Sequence, residues 1–218
     1  GVDNFSNRAP NEVFYSIGTN QGYFQVSNPK VTISDGMAYF DNPQVNTHIG
    51  IGDSVIYNTS IVCYLAFKID QYTWRVVTAT GSKPANIVAS QVVSIKRAFN
   101  SLVGALTGAS DSDHLNTTTL PCNLNFPCYN DGIDIESVTI SGWTTGSNQI
   151  NIFVPWDITT QCNKRQKHEG VWNSAYTLMP PVDAITVNNP SVTITGLQID
   201  AHSGYSGIVL SQENNTIV

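Results

Sequence analysis

The chain has 218 residues, of which 41% are hydrophobic and only 12% charged, with a formal net charge of −6. Its length admits one large β domain, or a small domain followed by a second unit. The charge excludes a nucleic-acid binder: displacing counterions needs a basic stripe, and the chain carries 10 Lys and Arg against 16 Asp and Glu. Ser, Thr, Asn, Gln and Gly supply the polar surface, a composition suited to strands more than to helices. No run of roughly 18 apolar residues exists, so no membrane-spanning helix is expected. Gly1 stands where an initiating Met would, which fits a removed signal peptide. Scarce Lys and abundant Thr, Ser and Asn point to an exported protein.

Residues 1–92 read as a small antiparallel β domain. A strand-like piece lies around Val13 to Ile17. KVTISDGMAYF alternates about Asp35-Gly36, a dipeptide suited to the positive φ values of a tight hairpin. GIGDSVIYN, VCYLAFKI and YTWRVVTAT follow as strands, the last two joined at Asp70-Gln71. Val31, Ile33, Val55, Tyr57, Leu65, Phe67, Trp74 and Val76 are the expected core. GSKPANI then ends the pattern. In SIKRAFNSLVGALTG, the residues Ile95, Ala98, Phe99, Leu102 and Leu106 fall on one face at helical spacing. A helix is therefore expected, with Ser94 as N-cap and Gly108 just past its end.

A turn-rich stretch follows, with strand propensity around Leu124 and Phe126, then VTISGW, INIFVP and YTLMP. The four cysteines, Cys63, Cys122, Cys128 and Cys162, allow two disulfides or four buried thiols. Cys122 and Cys128, flanking CNLNFPC, are the pair expected to bridge. No Cys/His spacing suggests zinc, and no metal or cofactor is expected.

The end of the chain repeats. AITVNNPSVTI starts at Ala184 and GIVLSQENNTIV at Gly207, an offset of 207 − 184 = 23 residues. The second strands, from Val192 and Thr216, are offset by 216 − 192 = 24. A period in the low twenties suits stacked solenoid coils, with a regular β-sandwich as the alternative. The succession of a helix, VTISGWTTGSNQINIFVP, AITVNNPSVTITGLQID and GIVLSQENNTIV resembles the opening of a right-handed parallel β-helix of the pectate-lyase-like superfamily, of the kind found in repeat proteins of bacterial surfaces or phage particles. The resemblance covers roughly residues 94–218. It implies an all-β fold in which the helix caps the first coils, so that residues 93–218 form a helix-capped β-helix unit.

Many members of that superfamily cleave acidic polysaccharides, which implies a basic residue with calcium for a lyase or paired carboxylates for a hydrolase. Asp200 and His202, in DAH, are the best acid/base pair available, and a solvated loop corner is the favoured explanation of them. No GxSxG, HExxH, phosphate-loop or EF-hand pattern appears. The basic segment KRQKHEG, with Arg165 and His168, either neutralises an anionic sugar or is a solvated loop. Trp143, Trp156 and Trp172 offer aromatic faces for a sugar ring or a partner protein, or else cover the flank of the strands.

These features favour a non-enzymatic structural or adhesive protein of an extracellular assembly: a self-associating fibre, surface layer or phage appendage. NNTIV has no partner strand after it, so Ile208, Leu210, Ile217 and Val218 form the expected assembly interface, covered head-to-tail by another copy. The alternative is a polysaccharide-active lyase or hydrolase, or a sugar-binding module, with its groove partly outside the chain.

Overall fold

A computed structural model describes residues 12–173 and 175–218. After β1 (Glu12–Phe14) come β2 (Lys30–Ser34), β3 (Met37–Phe40), β4 (Ser54–Tyr57), β5 (Ile61–Lys68), β6 (Thr73–Val77) and β7 (Ile87–Lys96). β2 to β7 form a closed barrel in the order β2-β3-β6-β5-β4-β7, and β7 returns antiparallel to β2 to complete the circle. The hairpin at Asp35-Gly36 forms as the dipeptide demands, with φ values of 51° and 78° and Ser34 paired with Met37. Asp70 Oδ1 accepts the N–H groups of Tyr72 and Thr73 and so shapes the β5–β6 turn. Val31, Ile33, Val55, Tyr57, Leu65, Trp74 and Val76 are all buried inside. Phe67 is only half-buried, because the register shifts between Leu65 and Phe67 and re-aims its side chain.

The expected helix is corrected at both ends. Ser94 and Ile95 belong to β7, where Ile95 pairs with Val55 and is buried. The helix, α1 (Leu102–Gly108), has seven residues, and Gly108 is its last residue instead of its stop. Ser101 is the N-cap, accepting the Gly104 N–H at 3.1 Å. The physical reason lies in β-branched Val92, Val93 and Ile95, which favour a strand, and in the gap between β2 and β4 that only a sixth strand closes. Phe99, outside the helix, packs against the rings of Tyr15 and His114, at centroid distances of 5.8 and 4.8 Å.

The rest of the chain builds parallel sheets from β8 (Asn123–Pro127), β9 (Ile133–Asp134), β10 (Val138–Ile140), β11 (Ile150–Phe153), β12 (Thr177–Leu178), β13 (Ile185–Val187), β14 (Val192–Thr195), β15 (Gln198–Ile199), β16 (Ile208–Leu210) and β17 (Thr216–Ile217). One sheet has five strands, β1-β8-β11-β14-β17, and two have three, β10-β13-β16 and β15-β12-β9. Leu124, Phe126, Ile150, Ile152, Val192 and Ile194 bury one face of the large sheet. Asp134, in β9, ties the β15-β12-β9 sheet to the helix, its Oδ2 accepting from the Leu102 N–H and the Tyr176 hydroxyl.

The terminal repeat pairs as its offset predicts, with Ile185 beside Ile208 in parallel. Thr193 lies beside Thr216, so the second offset is also 216 − 193 = 23, one less than expected. The resemblance to a right-handed parallel β-helix of the pectate-lyase-like superfamily does not hold. Instead of solenoid coils, the chain forms a closed antiparallel barrel and parallel sheets of three to five strands. The spacing of paired residues is uneven: Thr177 to Gln198 is 198 − 177 = 21, and Val138 to Ile185 is 185 − 138 = 47. The large sheet also takes β1 from before the barrel, pairing Glu12 with Asn123. Two similar strand pairs indicate local parallel pairing, and that alone does not define a family fold.

The expected bridge between Cys122 and Cys128 is also corrected, for all four cysteines are buried free thiols. Strand β8 lies between the two and holds them extended, about 20 Å apart at ~3.3 Å per residue, whereas a disulfide spans less than about 7 Å between Cα atoms. Among the described residues no helix is long and apolar enough to cross a membrane.

The barrel is joined to the parallel sheets through one buried cation. Arg97, directly after β7, is fully enclosed, as are its partners Asp53 and Asp131. Its Nη1 donates to both oxygens of Asp53 at 2.8 and 3.0 Å, and Nε and Nη2 donate to Asp131 at 2.7 and 3.1 Å. The guanidinium lies 3.7 Å from the centroid of the Tyr129 ring and 4.8 Å from that of Phe24. Burial pushes the Asp53 carboxyl up, while Arg97 and the Gly50 N–H pull it back. Burial also acts against the charge on Arg97, but Asp53 and Asp131 outweigh it and hold the guanidinium protonated. Gly18 is required here, because a Cβ would sit 2.0 Å from Asp131 Oδ2.

Candidate functional site

In β8, β11 and β14 the apolar residues point inward, so by the two-residue period of a strand their neighbours line the opposite face. Register places Asn125, Asn151 and Thr193 in one row and Pro127, Phe153 and Thr195 in the next. Asn151 Nδ2 donates to Asn125 Oδ1 at 2.9 Å, and Asn125 Nδ2 donates to the Val13 carbonyl, which fixes the amide row. Over these rows lies a groove of about 300 Å³, walled by Trp156 and Lys167.

Trp156 is 54% exposed, and its backbone N–H is held by Gln161 Oε1 at 3.0 Å. The segment behind it is bound to the barrel. Lys68 Nζ donates to the Ile158 carbonyl at 2.8 Å, and Asn163 Nδ2 donates to the carbonyls of Gln44 and Asn46. Burial lowers the Lys68 pKa, against the opposing pull of Cys162, Asp157 and Asp70. Burial likewise pushes the Cys162 thiol up to about 12, which leaves it a protonated, unreactive packing group.

The basic loop is clamped at both ends by buried glutamines. Gln166 Oε1 accepts the Asn130 N–H at 3.0 Å, and its Nε2 donates to the Lys164 carbonyl at 2.7 Å. Gln198 Oε1 accepts the Asn173 N–H, and its Nε2 donates to the Asn173 carbonyl, both at 2.8 Å. Between the clamps the chain turns at Gly170 (φ +85°), whose N–H donates to His168 Nδ1. Trp172 stands on this loop with 59% of its surface exposed. Lys167 runs its stem across Gly196 (φ +74°), where a Cβ would meet Lys167 Cε at 2.8 Å. The glycine thus serves two needs, a left-handed backbone and room for the lysine.

The structure sorts the residues singled out from sequence. Trp156 and Trp172 are exposed, and Trp156 faces the groove. Trp143 is corrected to a core residue, only 7% exposed. The side chain of Asn189 clasps its backbone, accepting the Trp143 N–H and donating to its carbonyl, beside the turn at Gly142 (φ +80°). Arg165 pairs with Glu169 at 3.3 Å on the surface. Asp200 and His202 are exposed and not brought together: His202 Nδ1 lies 3.2 Å from the Pro180 carbonyl, and the Asp200 N–H donates to Leu178. Leu210, Ile217 and Val218 are exposed and Ile208 half-buried, on or beside the edge strands β16 and β17.

Phe153 and Asn151 were missed, and Lys167 was read only as part of the basic segment KRQKHEG. The alternation in INIF marks Phe153 and Asn151 as facing away from the buried isoleucines, but nothing local places Lys167 over them. Among the described residues no group of three or more His, Cys, Asp and Glu is arranged to hold a metal ion. No family model, curated protein or solved structure matches the chain.

Proposed function

We propose that the protein is a non-enzymatic, extracellular adhesive module that binds a polysaccharide across the outward face of its five-stranded sheet. The reading is carried by the exposed indole of Trp156 beside Phe153, over a row of amides and hydroxyls from Asn151, Thr193 and Thr195. A flat aromatic face takes the apolar C–H face of a sugar ring, while fixed amides and hydroxyls take its hydroxyl groups. Trp156→Ala is expected to weaken polysaccharide binding by at least about tenfold in affinity electrophoresis or calorimetry, with the melting temperature unchanged. Undiminished binding by that variant would sink the reading.

A second reading, self-association, is favoured by exposed apolar Leu210 and Ile217 on the edge strands β16 and β17. Such edges pair readily with another copy, head to tail. Sedimentation velocity across a hundredfold concentration range is expected to show a growing species. A monomer throughout would exclude it.

A further inference from the structure

We infer that the polysaccharide is anionic, with a carboxylate or sulfate of the sugar held by the Lys167 ammonium. This rests on the glycan-binding reading above and adds the charge of the ligand. The chain carries a net charge of −6, yet Lys164, Arg165 and Lys167 place three of its 10 Lys and Arg within four residues. Within residues 164–173 the one acidic side chain is Glu169, and it is engaged with Arg165. Lys167 is half-buried against Gly196 and lines the groove, and among the described residues its ammonium forms no ion pair. Other lysines are already engaged: Lys83 pairs with Asp35 at 2.6 Å, and Lys68 donates to the carbonyls of Ile158 and Cys162.

An ammonium at the wall of the groove with no counter-charge among the described residues is open to an incoming anion. It also forms a charge-assisted hydrogen bond about twice as strong as the neutral bond a sugar hydroxyl offers. The surrounding basic loop steers an anionic chain toward this face of an otherwise acidic protein. The backing of the loop by Gln166 and Gln198 matters here, because a loop whose backbone is already held loses little freedom on binding.

The test measures affinity of the full chain for alginate (carboxylate), dextran sulfate (sulfate) and unmodified dextran (neutral), at low and high salt. The expected result is at least one anionic polymer bound about tenfold or more tighter than dextran, with the preference falling as salt rises. Lys167→Gln is expected to reduce that polymer to the affinity of dextran, and Arg165→Gln to change it less. Which anionic polymer binds assigns carboxylate or sulfate. Equal binding of dextran and both anionic polymers, or an unchanged preference in Lys167→Gln, overturns the anionic inference and leaves the glycan reading standing. No binding to any of the three overturns both.

Discussion

The barrel and the parallel sheets bury comparable strands by opposite routes. In the barrel, β2 with β3, β4 with β5 and β5 with β6 are neighbours in sequence, each pair joined by a short turn. In the parallel sheets no strand pairs with its neighbour in sequence, and the shortest separation is the 21 residues from Thr177 to Gln198. Local pairing closes small loops at low entropic cost, whereas distant pairing must be rewarded by burial and by fixed partners. The difference also decides where binding is possible. The long connections of the parallel sheets are free to be thrown outward and clamped, as the loop at 164–173 is.

The largest expected effect tests whether the two regions stand as one body. Arg97→Met leaves Asp53 and Asp131 enclosed without a cation, and is expected to cost about 3–5 kcal/mol in denaturant unfolding, or to prevent folding. Replacing the carboxylates as well, in Asp53→Asn, Asp131→Asn, Arg97→Met, is expected to recover much of that loss. A single Arg97→Met change below about 1 kcal/mol would show that the union of the two regions does not depend on this ion pair.

A smaller effect comes from His114, whose ring packs on Tyr15, next to β1, and lies 6.4 Å from Tyr64 in barrel strand β5. Burial lowers its pKa, with Asp111 and Asp113 opposing. The folded state therefore binds the proton less readily than the unfolded chain. The stability that neutral His114 contributes is present above pH about 6.5 and declines as pH falls below it. His114→Phe is expected to flatten the fall in melting temperature between pH 7 and pH 5. An identical slope in that variant would place the acid sensitivity in other groups.

Much of the barrel was legible. Asp35-Gly36 and Asp70-Gln71 signal their turns through backbone and side-chain chemistry that acts within four residues, and alternation alone picks out Val31, Ile33, Leu65 and Trp74 as inward. The candidate site was legible only in pieces. Trp156 and Trp172 could be named, but nothing in SGWTTG distinguishes buried Trp143 from them until Asn189, 46 residues on, clasps its backbone.

The amino-acid sequence by itself determined the all-β character, the hairpins of the barrel, the inward faces of its strands and the parallel pairing of Ile185 with Ile208. These follow from turn chemistry, period-two alternation and a local repeat, all of which act over short spans. Tertiary structure alone decided that Ser94 and Ile95 close a barrel instead of opening a helix, because a helical spacing in Ile95, Phe99 and Leu102 cannot outweigh an open sheet edge. It decided that Cys122 and Cys128 stay apart, since the strand between them has partners on both sides. It also brought Arg97 between Asp53 and Asp131, and laid Lys167 over Gly196 beside Trp156. Each of these depends on which distant segments share a space, and burial and charge pairing are settled only where the chain has already met itself.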